Sequence, residues 1–264
     1  MTTQAPRNGG QAPIAETADA DGFEAQYIPT LVDRWDQLID WDRRRASEQD
    51  FFVELLNGAE ARRVLDVAAG TGYHSITLAQ QGFDITAADG SAEMIERTRR
   101  NAERHGQSFR ILRADWRGLR EHVDGRYDAV ICLGSSFPHL FQESDRRAVL
   151  EEFHEALNPG GILIVDHRNF DAIRRHRYQS SGNYYYCGTG AEVTVAHVDE
   201  RLCRFRYDFP DGGTHHLEVY PVLSAELAAL LVEAGFDTVQ TFGDFREDFD
   251  LDEVDFVIHV ARKS

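Results

Sequence analysis

Three carboxylates and one arginine in this chain stand where apolar runs stop, which is where a side chain is free to meet a ligand. Asp66 closes Val64-Leu65 and leads into Val67-Ala68-Ala69-Gly70-Thr71-Gly72; Asp89 closes a second run; Asp115, with Trp116, closes a third; Arg168 follows Ile162 to Asp166 by two residues. A glycine turn after a strand lets a ligand approach the backbone, and the helix behind it offers unpaired N–H groups. A tight structural turn would explain Gly70 and Gly72 by themselves. The spacing is Asp-x-x-x-Gly-x-Gly, without the third glycine of dinucleotide sites, and Asp66 places negative charge where a pyrophosphate would lie. A cationic or amino-acid-bearing ligand suits it better. Asp89 is positioned for the two hydroxyls of a ribose, and Asp115 with Trp116 for the edge and face of an adenine. Fixed at a strand end, Arg168 can clamp a carboxylate through two parallel hydrogen bonds that lysine cannot reproduce; a salt bridge to Asp166 or Asp171 is its other reading.

These residues need elements to hold them. Strands are expected at 63–68, 84–88, Phe109–Asp115, Tyr127–Gly134 and Ile162–Asp166, with helices near 74–81, over Ala92–His105 behind the cap Ser91, and over Glu143–Leu157 before Asn-Pro-Gly-Gly. Such alternation gives a doubly wound α/β fold with a mostly parallel, seven-stranded sheet, whose ligands sit at the carboxyl ends of the strands. The last strands are Thr238–Phe245 and Asp255–Arg262, after a helix over Ser224–Phe236. Ahead of the sheet, 23–57 reads as cap helices, with Arg44–Leu56 as one regular helix. Between about 176 and 222 the segments Glu192–Asp199, Arg201–Phe209 and His215–Val222 have strand character, an antiparallel insertion large enough to cover an active site. Residues 1–22 read as a flexible tail and 23–264 as one domain.

The formal charge of −17 disfavours nucleic acid and anionic membrane surfaces, and a small ligand fits it better. Three cysteines without metal-ligand spacing argue for a reducing compartment and against a metal site. The N-terminal segment has no apolar core of a signal peptide, and no apolar run is long enough to span a membrane, so a cytoplasmic protein is expected.

The arrangement resembles the class I S-adenosylmethionine-dependent methyltransferases, which are Rossmann-like. Several stretches narrow that resemblance to the glycine N-methyltransferase and glycine/sarcosine N-methyltransferase family: Gln26–Glu48 near the start, Ile131-Cys-Leu-Gly-Ser-Ser-Phe-Pro-His-Leu140, Val165-Asp-His-Arg-Asn-Phe-Asp171 and Gly182-Asn-Tyr-Tyr-Tyr-Cys-Gly188. It spans nearly everything from residue 23 onward. The resemblance implies an S-adenosylmethionine site at which Tyr27, Trp35 and Arg45 approach from the N-terminal helices, Arg45 towards the cofactor carboxylate. It also implies Ala69 in the glycine turn, Asp89 on the ribose, Met94 against adenine, Asp115 and Trp116 on the base, and Leu133 with His139 beside the methionine portion. Arg168 takes the role of the family's substrate clamp.

Tyr185, Tyr186, Tyr207 and Tyr220 lie in or beside the insertion, where phenols can line a polar pocket or simply pack. Where the family commonly has Leu-Gly-Asn-Ser-Phe, this chain has Leu133-Gly134-Ser135-Ser136-Phe137, which withdraws an amide expected near the substrate amine. The expected activity is methylation of a small amino acid, glycine or sarcosine first, with S-adenosylhomocysteine as co-product. Another small amine as substrate, and a non-enzymatic cofactor sensor, stay as alternatives. A homo-oligomer is compatible with the sequence.

Overall fold

The computed structural model describes residues 26–176 and 191–264. Three short helices come first: α1 (Pro29–Leu38), α2 (Trp41–Glu48) and α3 (Phe51–Gly58). Pro29 opens α1, where a missing N–H costs nothing, and the Asp40 carboxylate caps α2 by accepting from Arg43 N at 3.1 Å. The single helix expected from Arg44 to Leu56 is broken at Gln49, whose φ of 49° cannot continue an α-helix. The break lets α2 and α3 bury different faces, Arg44 and Glu48 on one and Phe52 and Leu56 on the other.

The doubly wound core follows: β1 (Arg63–Asp66), α4 (Tyr73–Gln80), β2 (Asp84–Asp89), α5 (Ala92–Arg104), β3 (Arg110–Arg113), β4 (Tyr127–Cys132), α6 (Glu143–Ala156), β5 (Leu157–Arg168), α7 (Phe170–Arg174), and then the sheet's last strands β9 (Thr238–Gly243) and β10 (Phe256–Arg262) after α8 (Ser224–Glu233). The seven-stranded sheet has the order β3-β2-β1-β4-β5-β10-β9, and only β10 runs against the other strands, pairing antiparallel with both β5 and β9. Buried on both faces, its central strands carry apolar residues on both sides. Leu65, Val67, Val130, Cys132, Leu163 and Val165 pack to one side; Val64, Ala129, Ile131, Ile162 and Ile164 pack to the other. The strand order reverses at β1/β4, so the crevice above their carboxyl ends is where a ligand is expected.

β5 begins earlier than expected. Asn-Pro-Gly-Gly does not merely end α6 but forms the first residues of a twelve-residue strand, with a register shift against β4. Gly161 allows this, because a Cβ there would lie 2.9 Å from the Asn158 carbonyl oxygen and 3.0 Å from that of Asp128.

The insertion contributes β6 (Glu192–Val198), β7 (Cys203–Asp208) and β8 (Thr214–Val219), an antiparallel three-stranded sheet. β7 turns Cys203, Phe205 and Tyr207 inward and joins the main core through them. No helix among the described residues is long and apolar enough to cross a membrane.

Candidate active site

A cleft of about 700 Å³ opens over the carboxyl ends of β1, β2 and β4, within the usual range for small-molecule sites. Its floor is the turn after β1. Gly70 and Gly72 both adopt positive φ, 56° and 94°, for different reasons. A Cβ at Gly72 would lie 3.0 Å from Thr98 Cγ2, so that glycine lets α4 and α5 approach; at Gly70 it would meet only the Ala68 carbonyl oxygen, at 4.0 Å, and the space in front belongs to the cleft. Thr98 donates to the Gly70 carbonyl oxygen at 2.7 Å and Asn101 to that of Thr71 at 2.9 Å, tying the turn to α5.

Asp89 closes β2 with one backbone donor on each oxygen, Gly70 N at 2.8 Å and Ser91 N at 2.9 Å. Burial nonetheless pushes its carboxyl up to about 6, because two N–H bonds do not replace full hydration. Beside it Met94 and Trp116 form an apolar wall, the indole N–H held by the Val67 carbonyl oxygen at 2.6 Å. Asp115 is also in the wall, with its carboxylate held low by Arg117, which donates to it at 2.6 Å. Ala69 and Leu133 complete this part of the cleft.

Tyr27 and Trp35 come in from the N-terminal side, edge to face at 5.5 Å. Tyr27 Oη lies 2.9 Å from His139 Nε2, which joins residues 112 positions apart. Burial holds His139 down to about 4, so its ring is neutral at physiological pH, and its buried Nδ1 has no hydrogen-bond partner among the described residues. A buried polar atom in that state at a cleft wall is available to a hydrogen bond from a ligand or an ordered water.

Five residues expected at the site do not line the cleft. Asp66 does not reach the cleft: it is buried beneath the turn, where its oxygens accept from Ala68 N at 3.2 Å and Ser75 Oγ at 2.6 Å, and burial raises its carboxyl. Arg45 points away, to Gln80 Oε1 at 3.0 Å, because one residue along a helix turns a side chain by about 100°. Its neighbour Arg44 lines the cleft instead, bonded to Glu48 Oε1 at 2.5 Å and lying over the Tyr73 ring at 4.9 Å. Ser135 lies between two cleft residues, Gly134 and Ser136, but its side chain turns to β5 and accepts from Arg168 N at 3.1 Å, with φ of 57°. Tyr220 stands outside the cleft, its ring under the Arg146 guanidinium at 3.8 Å and its hydroxyl 3.3 Å from Glu226. Gly72, as above, serves packing.

Sequence reading missed the cluster of Arg44, Glu48 and His74 under this end of the cleft. Burial alone would raise Glu48, but Arg44 and His74 hold it below the usual carboxylate range. The signal was Arg44 and Glu48 four apart on one face of α2. It also missed Gln26, ahead of α1, and His216 and Glu218, which bring the insertion to the cleft wall; Gln26 Oε1 accepts from Glu218 N at 2.6 Å.

Arg168 lies beyond the cleft's Gly134 and Ser136, 3% exposed at the last position of β5. Its guanidinium sits 4.5 Å from the Phe205 ring of β7 and 5.6 Å from that of Phe256 on β10. Tyr207, two residues along from Phe205, is buried on the same face of β7. Tyr185 and Tyr186 lie outside the described residues.

A methyltransferase domain family matches residues 64–161, the stretch from β1 to the start of β5. Over its whole length the chain is 47% identical to a glycine/sarcosine N-methyltransferase of Halorhodospira halochloris, across 98% of that protein, and 46% identical to one of Aphanothece halophytica, covering 96% of each. The chain belongs to the glycine/sarcosine N-methyltransferase family. A glycine N-methyltransferase of Rattus norvegicus is 38% identical over 86% of this chain and 88% of its own. Among solved structures, an S-adenosylmethionine-dependent methyltransferase of Clostridium acetobutylicum superposes with a TM-score of 0.68 over 89% of this chain and 98% of its own, at 15% identity, a likeness of fold. The family is one of S-adenosylmethionine-dependent N-methyltransferases, and this chain is an enzyme of that class.

Proposed function

We propose that this enzyme methylates the amine of glycine and of sarcosine, with S-adenosylmethionine as methyl donor. The observation that carries the reading is Arg168, a guanidinium buried at the carboxyl end of β5 whose backbone is bonded to Ser135 between the cleft residues Gly134 and Ser136, in a chain whose full-length relatives bear those substrates in their names.

The residues present fit the cofactor. Asp89, already oriented by two N–H groups, keeps lone pairs for both ribose hydroxyls. Met94 and Trp116 take the adenine faces, with Asp115 at its edge. Arg44 offers the cofactor carboxylate a planar fork of donors. Leu133, Tyr27 and His139 surround the remaining end, where His139 Nδ1 awaits a polar partner. When bound, S-adenosylmethionine supplies a methyl group on a sulfonium centre, already activated for displacement.

The chain's own work is then positioning. Arg168 binds the substrate carboxylate bidentately and so aims the amine at the cleft. Phe205 and Phe256 hold the guanidinium and exclude water around it; a dry surrounding favours the neutral amine over the ammonium ion. The insertion acts as a lid through His216 and Glu218 at the cleft wall. The enzyme works in the cytoplasm.

Incubation with S-adenosylmethionine and, separately, glycine, sarcosine, dimethylglycine and other small amino acids tests this. Sarcosine from glycine and dimethylglycine from sarcosine are the expected products by mass; no methylation of either, with another amine consumed, would refute it.

A further inference from the structure

Two histidines lie behind Arg168, fully buried, and the positioning described so far does not use them. His167 Nδ1 lies 2.7 Å from the Arg168 carbonyl oxygen, His167 Nε2 lies 3.3 Å from His259 Nε2, and His259 Nδ1 lies 3.1 Å from Thr241 Oγ1. The chemistry of the partners orders this chain. A carbonyl oxygen only accepts, so Nδ1 of His167 carries a hydrogen and its Nε2, in a neutral ring, accepts. Nε2 of His259 then carries the hydrogen between the rings, and its Nδ1 accepts from the Thr241 hydroxyl. Burial pushes His259 down to about 3 and lowers His167 as well, so both rings are neutral.

The place of this chain in the sheet gives it something to do. β4 stops pairing with β5 at Cys132 opposite Val165, so the end of β5 leaves that ladder three residues before Arg168. There the peptide groups of Arg168 find side chains: its N–H goes to Ser135 Oγ and its carbonyl to His167. His167 is opposite Val257 and His259 opposite Val165, a diagonal pair across β5 and β10 whose rings stack at 5.4 Å and 20°. Phe170 continues the stack at 6.1 Å and 9°. Two apolar side chains could fill this space without polar atoms to satisfy. What the histidines add is direction, a hydrogen held at the one atom that faces Arg168.

We propose that His259 and His167 are positioning residues that fix the backbone of Arg168, and so the aim of its guanidinium, through a directed hydrogen-bond chain starting at Thr241. The inference rests on Arg168 as substrate clamp, and its test separates the two.

Long-range nitrogen–proton NMR correlation on the wild-type protein reads the tautomers without any substitution, with His167 and His259 assigned by the signals lost in variants. The expected result is a hydrogen on Nδ1 of His167 and on Nε2 of His259 at neutral pH. The opposite tautomer at either ring, or a charged ring, overturns the chain. Steady-state kinetics with glycine then compares His259→Leu, His259→Gln and Arg168→Lys. His259→Leu is expected to raise the glycine KM about tenfold, as a misaimed binding group does, with the S-adenosylmethionine Kd within about twofold of wild type. His259→Gln, whose amide donates from the Nε2 position, should recover most of that loss. If Arg168→Lys leaves the glycine KM unchanged, the clamp reading fails. If it raises KM while His259→Leu does not, or if Leu and Gln variants damage KM and cofactor Kd alike, the positioning inference fails by itself.

Discussion

The two halves of this site are built in opposite ways. The half proposed for the cofactor is open, and its central acid is set by backbone: Asp89 takes its orientation from two peptide N–H groups in the turns beside it. The half proposed for the substrate is closed, and Arg168 is set by side chains from distant parts of the chain: Ser135 after β4, Phe205 on β7 and Phe256 on β10. Backbone-built sites tolerate change in the surrounding side chains, whereas a buried charge depends on each neighbour that holds it. One half should therefore fail in parts and the other all at once.

Arg168→Leu should show the largest effect. Truncating one member of a buried charge pair costs about 2–5 kcal/mol, so kcat/KM for glycine should fall at least about thirtyfold, with calorimetric affinity for S-adenosylmethionine preserved. Equal loss of both would make the halves one unit. Asp89→Ala should do the reverse, weakening the cofactor by about 1.5–3 kcal/mol, the worth of hydrogen bonds to a charged acceptor, and titration of the folded variant measures it.

Asp89 also sets a pH dependence. Its carboxyl is raised to about 6 in the cofactor-free fold, and a proton there competes with the ribose hydroxyls for acceptor sites. Cofactor affinity should therefore rise as pH increases through about 6 and level off above it, being weaker by roughly tenfold one unit below the midpoint. Asp89→Asn should flatten that profile. Ser135→Asn should be the mildest change. Asparagine suits the positive φ of 57° better than serine does, so melting temperature should hold or rise slightly. An amide next to Arg168 should shift the glycine-to-sarcosine ratio of kcat/KM towards glycine by a few fold, measured by competition.

The same contrast explains what was legible in the sequence. Apolar runs ending at Asp66, Asp89 and Asp115 revealed the parallel sheet and the cofactor crevice, since strand ends and glycine turns leave local marks. Which acid faces the ligand left no such mark: Asp66 and Asp89 close adjacent strands alike, but Ser75 and Ala68 turn the first inward. Arg44 against Arg45 was a question of helical phase within Arg43-Arg44-Arg45, and with Trp41 the only large apolar residue on α2, pattern could not set it. The resemblance places Ser135 near the substrate, and Tyr220 is placed there by its position beside the insertion, yet their partners, Arg168 and Arg146, lie 33 and 74 residues away in the chain, and these decide where they point. Long-range side-chain contacts of that kind leave no period to read.

The central claim, that a buried guanidinium recognises the carboxylate of a small amino acid independently of the cofactor, is tested most directly by replacing that carboxylate. Glycine and glycinamide differ in little but this charge, and their ratio of kcat/KM should strongly favour glycine in the wild-type enzyme. Any intrinsic difference in amine reactivity cancels when the same ratio is measured in Arg168→Leu. The account predicts that the preference collapses in the variant, by a factor matching the loss of glycine activity. A preference for glycine that persists unchanged in Arg168→Leu would contradict it.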